Sequence, residues 1–278
     1  VDKMNNLGEI LKEKRLILKM SQKEVAADIC SQPMISSIEK GKYIPNSQIL
    51  ILLCQRLQID IDSISLDSNY QISSREEFNN KITTLCNNHE YQKLREFLLQ
   101  ESTIDSVSNH EQTKAYYYYL GVAYLQADHN LDKAKTNFKL SLSNDDNNRK
   151  KLTTLDRLAS VSLAGIFAKE GLINSSNEYL NIAFHNFDTA NFETNQIALF
   201  YLAAYSRASL NKNIDAITWL DQGIEFATKH DSHYMLGNMY YLLAQLLSKS
   251  NQADSTTQYR DRSDMFAELF GEKIFKTN

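Results

Sequence analysis

Ser21-Gln-Lys-Glu-Val-Ala-Ala-Asp-Ile-Cys-Ser-Gln-Pro-Met-Ile-Ser-Ser-Ile-Glu-Lys-Gly41 decides how the opening of this 278-residue chain is read. Ser21 with Glu24 forms a capping box: the hydroxyl takes an orphan amide of the first turn and the carboxylate reaches back to the cap. Val25, Ala26 and Ile29 then supply the buried side of a helix barely two turns long. Cys30-Ser31-Gln32 interrupts it, and Pro33 suits the first turn of a second helix, where a missing N–H costs nothing. That helix carries Ile35 and Ile38 inward and stops at Gly41, a natural left-handed C-cap. Two short helices joined by a tight turn predict a helix-turn-helix.

In such a unit the second helix enters the major groove and presents its N-terminal side chains to base edges. Here those are Ser31, Gln32, Met34 and Ser37. Gln32 can pair bidentately with adenine and Met34 can touch a thymine methyl. Gln22 opens the first helix, where its amide can bond a phosphate oxygen beside free N–H groups. Lys19, Lys23, Lys40 and Lys42 flank the unit as candidate phosphate contacts. A helical pair used only for packing is the competing reading, and cap, turn, Pro start and Gly stop falling in register argue against it.

Residues 7–66 resemble the Cro/repressor-type helix-turn-helix domain. The likeness runs from Leu7-Gly-Glu-Ile-Leu-Lys-Glu-Lys-Arg through Ser-Gln-Lys-Glu-Val-Ala and Ile-Ser-Ser-Ile-Glu-Lys-Gly to Leu57-Gln-Ile-Asp-Ile. Ile29-Cys-Ser-Gln stands where a longer, Gly-containing turn is common. That shortened turn is similar to the PlcR branch of the Gram-positive peptide-sensing regulators, the Rgg, NprR, PlcR and PrgX group. The family's arginine before the Ile-Glu pair is Ser37 here, a departure that bears on the target sequence.

The bulk numbers agree with a helical, globular chain. Apolar residues make up 42% and charged residues 23%, and only 8 Gly and 2 Pro argue for helix nearly throughout. No 18-residue apolar run and no signal peptide is present, so the expected location is the cytoplasm. Cys30, Cys54 and Cys86 are widely spaced on apolar helical sides, which favours buried reduced thiols over a redox switch. Net charge is −4, but residues 1–57 carry nine Lys/Arg against six Asp/Glu, leaving the remainder at −7. A weakly basic head grips one duplex half-site feebly, so a homodimer with two heads is expected.

The opening helix is expected over 5–18, with Leu7, Ile10, Leu11 and Ile17 apolar and Lys12, Lys14 and Arg15 outside. Pro45-Asn-Ser caps a helix from Gln48 to Leu57, whose Ile49, Leu52, Leu53 and Leu57 close a small domain over residues 1–66. Ile59 to Leu66 suits a short final helix. Polar, aperiodic residues 67–74 predict a linker. Ser73 with Glu76 is a second capping box and opens a domain over 75–278.

That second domain repeats. Tetratricopeptide units place an aromatic, a Leu, a small residue and an aromatic on helix A, then a small and a large apolar residue on helix B. Tyr117, Leu120-Gly121 and Tyr124 precede Ala134 and Phe138. Leu163-Ala164, Phe167 and Gly171 precede Ser176, Leu180 and Ala183. Phe200 and Ala203-Ala204 precede Ala216, Leu220 and Gly223. Tyr240, Leu243-Ala244 and Leu247 precede Thr256 and Arg260. The small helix-A residue recurs at 121, 164, 204 and 244, in steps of 43, 40 and 40. Those steps exceed the usual ~34 and imply longer helices or loops. With a degenerate first copy at 75–103, five helical pairs are expected. The predicted fold is therefore all-α: an N-terminal helix-turn-helix domain followed by a right-handed tetratricopeptide-like solenoid with a concave inner face. An irregular bundle with coincidental alanines is the competing reading.

In repeats of this kind the groove is lined by helix-A residues set at fixed offsets from the small residue. Those slots are Tyr118, Val122 and Gln126; Val161 and Lys169; Tyr201, Tyr205 and Ser209; and Tyr241, Gln245 and Lys249, with Arg157 and Asn238 one turn earlier. A Tyr- and amide-rich lining suits an extended peptide, whose buried backbone amides need partners. The resemblance implies a short signalling peptide as ligand and duplex DNA as the other partner. It also implies groove asparagines that hold the peptide backbone, yet the matching slots here are Val161 and Leu202. Asn87-Asn88-His89 likewise stands where the PlcR branch carries basic residues.

No Gly-rich phosphate loop, Gly-x-Ser-x-Gly or His-Glu-x-x-His motif occurs. His230 and His233 share a predicted helix face at i, i+3 with Asp231 beside them, but without a third positioned ligand neither a metal, a cofactor nor an enzymatic function is expected. The sequence thus predicts a DNA-binding transcriptional regulator whose repeats sense a peptide. Its alternatives are a repressor whose repeats bind a protein, a thiol-responsive regulator, and a scaffold that has lost DNA affinity.

Overall fold

The structure, a computed structural model, describes residues 5–40, 42–43, 45–59, 70–143, 152–190, 192–248 and 253–275. Among them every regular element is helical, and the chain divides into two compact units, Val1–Tyr70 and Gln71–Asn278. The expected Gly41 cap, the Ile59–Leu66 helix beyond Ile59, and Lys249 lie outside the described residues.

The first unit contains α1 (Asn5–Ile17), α2 (Gln22–Ala26), α3 (Gln32–Glu39) and α4 (Ser47–Arg56). The capping box is present: Ser21 Oγ accepts from the Glu24 N–H at 3.2 Å, and Glu24 Oε2 accepts from the Ser21 N–H at 2.6 Å. α2 stops earlier than its apolar pattern suggests, because Asp28 turns the chain with φ +60 where a glycine is more usual. Ile29 still packs half-buried on the core from the turn. Pro33 sits in the first turn of α3, and Asn46 caps α4 by accepting from the Ile49 N–H at 2.9 Å. Leu7, Leu11, Val25, Ala26, Ile35, Ile38, Leu53, Cys54 and Leu57 make the core. α1 crosses the end of α3 so closely that a Cβ on Gly8 would collide with the Ile38 carbonyl oxygen.

Three expectations for this unit are corrected. Arg15 is 9% exposed rather than outside, and Ile17 is 64% exposed rather than inside. Leu52 is largely exposed and leaves Leu53 and Leu57 to close the core. Periodicity puts Arg15 on the solvent side, but its guanidinium has a buried partner to satisfy.

The second unit stacks helix pairs. α5 (Glu76–Asn87) pairs with α6 (Tyr91–Leu98), followed by the one-turn α7 (Glu101–Ile104). α8 (His110–Ala127) pairs with α9 (Leu131–Leu142), and α10 (Thr154–Lys169) with α11 (Ile173–Phe184). α12 (Ile197–Ser209) pairs with α13 (Asn213–Lys229), and α14 (Leu236–Ser248) with α15 (Ala253–Phe270). Gly121, Ala164, Ala204 and Ala244 are all buried, as the phasing requires. At Gly121 the reason is explicit: a Cβ there would lie 2.8 Å from the Phe138 ring, so only glycine lets α9 seat that side chain. In the last pair the close approach is made by Ser263, fully buried and donating to the Gly237 carbonyl at 2.8 Å, while Arg260 is exposed.

The second capping box is replaced by another device. α5 begins at Glu76 with Arg75 as its N-cap residue. Ser73 instead accepts from the Arg75 N–H at 3.1 Å, while Asn79 takes the Ile72 N–H and donates to the Ser73 carbonyl. Ile72 and Ser73 are fully buried, so the end of the proposed linker packs into the repeat unit. Arg95–Asp128 and Lys135–Glu170 ion pairs join successive helical pairs. Lys114 and Asp156 form an ion pair with both side chains 1% exposed.

Candidate functional site

The first candidate surface is the N-terminal end of α3. Arg15 reaches Glu39 through two bonds, Nε to Oε1 at 2.6 Å and Nη2 to Oε2 at 3.0 Å, and Nη1 donates to the Met20 carbonyl at 3.0 Å. Glu39 Oε2 also accepts from Gln22 Nε2 at 2.8 Å, and Gln22 Oε1 accepts from Gln32 Nε2 at 2.7 Å. Burial opposes the ionised Glu39, but the Arg15 and Gln22 hydrogen bonds and the Arg15 charge outweigh it and hold the carboxyl below its ordinary value. A network anchored by this ion pair therefore orients Gln32, which is itself exposed.

Ser31, Lys19, Lys23, Lys40 and Lys42 are likewise exposed, the last two at and just beyond the C-terminal end of α3. Met34 and Ser37 are more committed to the fold than expected. Met34 packs partly against the core, and the Ser37 hydroxyl donates to the Pro33 carbonyl at 2.9 Å. Gln22 holds Glu39 and Gln32 rather than standing free for a phosphate.

The second candidate surface is on the helix-A side of the repeats. After α15 the chain breaks at Gly271, φ +64, and runs without regular secondary structure over residues 271–275. Glu272 accepts from the backbone N–H groups of Gly237 at 3.1 Å and Asn238 at 3.3 Å, and from Asn238 Nδ2 at 2.5 Å. The Asn238 amide also grips the main chain of this segment. Its Nδ2 donates to the Lys273 carbonyl at 3.2 Å and its Oδ1 accepts from the Phe275 N–H at 2.7 Å. The Phe275 ring stacks on His89, with centroids 4.1 Å apart, and faces Tyr201 at 6.0 Å. Lys273 Nζ donates to the Asn88 carbonyl at 3.1 Å.

This places Asn238 and Tyr201 together, with Tyr205 and Tyr241 near the Tyr201 hydroxyl. Tyr118 lies farther along, close to Tyr91, Tyr234 and Cys86. Tyr234 is 38% exposed, yet burial and the nearby Glu272 carboxylate push its hydroxyl up to about 12. Gln126 is exposed at the end of α8, Gln245 is half-buried, and Lys169 lies over the Tyr205 ring.

Arg157 and Val161 do not line this surface. Val161 is fully buried because α10 is covered on both sides by its neighbours. Arg157, 2% exposed, donates to the Ala183 carbonyl at 2.6 Å and stacks over Phe187. His89, Asn88, Tyr91, Tyr234, Glu272 and Phe275 are absent from the slot-based set. Gly271 marks the end of α15, but Glu-Lys-Ile-Phe does not alternate and carries no local signal for the last two.

His230 and His233 are not on one helix face. α13 ends at Lys229, and the two rings stack separately, on Phe192 at 4.0 Å and Phe270 at 3.7 Å. Among the described residues no His/Cys/Asp/Glu cluster has metal-site geometry, and no helix is long and apolar enough to cross a membrane. The three cysteines are free, and burial pushes each thiol up, Cys86 to about 12. A raised thiol is a poor nucleophile.

This architecture defines an all-α protein with an N-terminal helix-turn-helix domain followed in sequence by a helical-repeat domain. Residues 11–64 match the helix-turn-helix family model. Over 96% of its length the chain is similar in fold to Bacillus thuringiensis PlcR. It aligns with PlcR solved in complex with the peptide PapR7 and DNA at 17% identity and TM-score 0.64, covering 96% of each chain. With apo PlcR the identity is 15% and the TM-score 0.57, covering 96% of this chain and 95% of the other. No curated protein matches the sequence.

Proposed function

We propose that this chain is a transcription regulator that binds operator DNA through α3 and a short signalling peptide through the helix-A side of its repeats. The observation that carries the reading is the network ending at Gln32. An exposed amide at the start of a helix, oriented through Gln22 by a Glu39 held on Arg15, is what base-edge readout needs. PlcR, whose fold the chain shares, has been solved with a peptide and DNA bound, which supports the same pair of ligands here. Asn238 and the tyrosines around it supply the backbone partner and apolar area that an extended peptide requires.

The regulator acts as a homodimer in the cytoplasm. Two weakly basic heads must engage half-sites about one helical turn, ~34 Å, or a multiple apart. Peptide binding shifts the head spacing only by its differential affinity for the two dimer states.

Two substitutions test the DNA half of this reading. Gln32→Ala weakens binding to the operator by about 1–3 kcal/mol in a sequence-dependent way. Lys40→Ala weakens binding to all duplexes alike and lowers the salt slope by about 1. Retention of full affinity in both, measured by titration at several salt concentrations, defeats the DNA reading. The peptide half is tested by adding peptide fractions of the source culture to the purified chain. A fraction that changes its melting temperature or operator affinity is expected, and silence from every fraction defeats it.

A further inference from the structure

Residues 272–275 contact the repeats as a bound peptide contacts a receptor. Main-chain groups of the segment are held by one side chain, Asn238, its carboxylate is held by the first turn of α14, and its aromatic ring fills a slot between His89 and Tyr201. We propose that this segment is a resident ligand of the peptide site: it occupies the position an incoming signalling peptide takes, and the incoming peptide gains entry by displacing it. The proposal rests on the peptide-sensing reading above and adds the chemistry of the competitor. That competitor is an extended peptide with a carboxylate three residues ahead of an aromatic ring, matching Glu272 and Phe275.

Three features support an exchangeable occupant over a permanent brace. The slot is shaped around the segment's side chains, because a Cβ on Gly237 would come within 2.9 Å of Ile274 Cδ1 and 3.0 Å of the Glu272 carboxylate. Gly237 keeps the space in which the segment lies. Asn238 is 2% exposed with the segment in place, and both ends of its amide pair with a peptide backbone lying across it. Either the chain's own segment or a ligand supplies one. Lastly, Glu272, Lys273 and Phe275 reach distant parts of the repeat unit, α14 on one side and the Asn88–His89 turn after α5 on the other. Exchange of the occupant therefore alters a link between the first and last helical pairs, which is the input a sensor domain needs.

Tethering keeps the resident segment in place although each contact is weak, since its effective concentration is in the millimolar range. The apparent affinity of an added peptide is lowered by the fraction of sites already filled. A stronger peptide still wins, by more apolar area or a better-placed carboxylate.

The test is fluorescence anisotropy with a fluorescein-labelled peptide of residues 270–275, Phe-Gly-Glu-Lys-Ile-Phe. It is titrated with the wild-type chain, with Glu272→Gln/Phe275→Ala, and with that double variant carrying Asn238→Ala as well. The double variant is expected to bind the probe on the order of tenfold or more tighter than wild type. Asn238→Ala is expected to remove the gain. Equal binding by wild type and double variant, no binding by either, or a gain that survives Asn238→Ala each overturns the proposal. Should the double variant fail to give the wild-type helical spectrum, a chain stopped after Gly271 replaces it, with the same expectations. Hydrogen exchange at Phe275 adds an independent reading on the wild-type sequence: its amide is protected, and Asn238→Ala releases it. Unchanged exchange counts against the clamp. Failure of peptide sensing itself is read separately. Culture fractions that move neither wild type nor the double variant defeat that reading and leave the probe result standing.

Discussion

The two units bury charge for different ends. In the helix-turn-helix unit, the Arg15–Glu39 pair lies beneath a surface and hands its orientation outward through Gln22 to Gln32. In the repeat unit, Lys114 and Asp156 are sealed between α8 and α10, and Asp156 spends its other oxygen on the Thr153 cap. The first pair orients an exposed side chain. The second joins one helical pair to the next and touches nothing outside. A small unit has little core to hold α3 at a fixed angle, so directional bonds do it. A stack of pairs holds its geometry through repeated close packing.

Breaking the sealed pair should produce the largest effect. Lys114→Met leaves Asp156 buried without its counter-charge and is expected to destabilise the repeat unit by about 3–5 kcal/mol in urea unfolding. Lys114→Met with Asp156→Leu should recover most of that loss, because an apolar pair of similar volume is often neutral. In the first unit, Gly8→Ala drives a Cβ into backbone at Ile38, which cannot rotate away as a side chain can. A loss of about 1–3 kcal/mol is expected from such overpacking.

Acid sharpens the contrast. The Glu39 carboxyl is depressed in the folded state, so its contribution is complete above the ordinary carboxylate value and is lost as pH falls through the lower folded value. The helix-turn-helix unit should lose stability across that acid window, followed by near-UV signals or exchange at α3 amides, and Glu39→Gln should flatten the dependence. The smallest effect tests the packing argument from the other side. Gly165 has nothing within 4 Å of an added Cβ, so Gly165→Ala should stabilise α10 by up to about 1 kcal/mol, where the crowded Gly121 gives no such gain.

Much of the local structure was legible in the chain. The Ser21–Glu24 box, Pro33 in the first turn, the Asn46 cap and the buried series Gly121, Ala164, Ala204 and Ala244 all follow from short-range stereochemistry and phase. Arg15 and Ile17 were misread because periodicity assigns charge to solvent and ignores a partner twenty-four residues away. Val161 and Arg157 were misread because slot rules assume an uncovered face, and at these two positions α10 is covered. The segment after α15 was invisible as an occupant, since nothing local to Glu-Lys-Ile-Phe says which helix it will meet.

Sequence by itself determined where helices start, where they stop, and which small residues let them touch, because caps, turns and side-chain volume act over a few residues. Tertiary structure alone decided which polar groups find each other. Glu39 meets Arg15, and Asn238 meets the backbone at Lys273 and Phe275, only once the helices have been packed. A buried hydrogen bond depends on distance in space, which chain position does not encode.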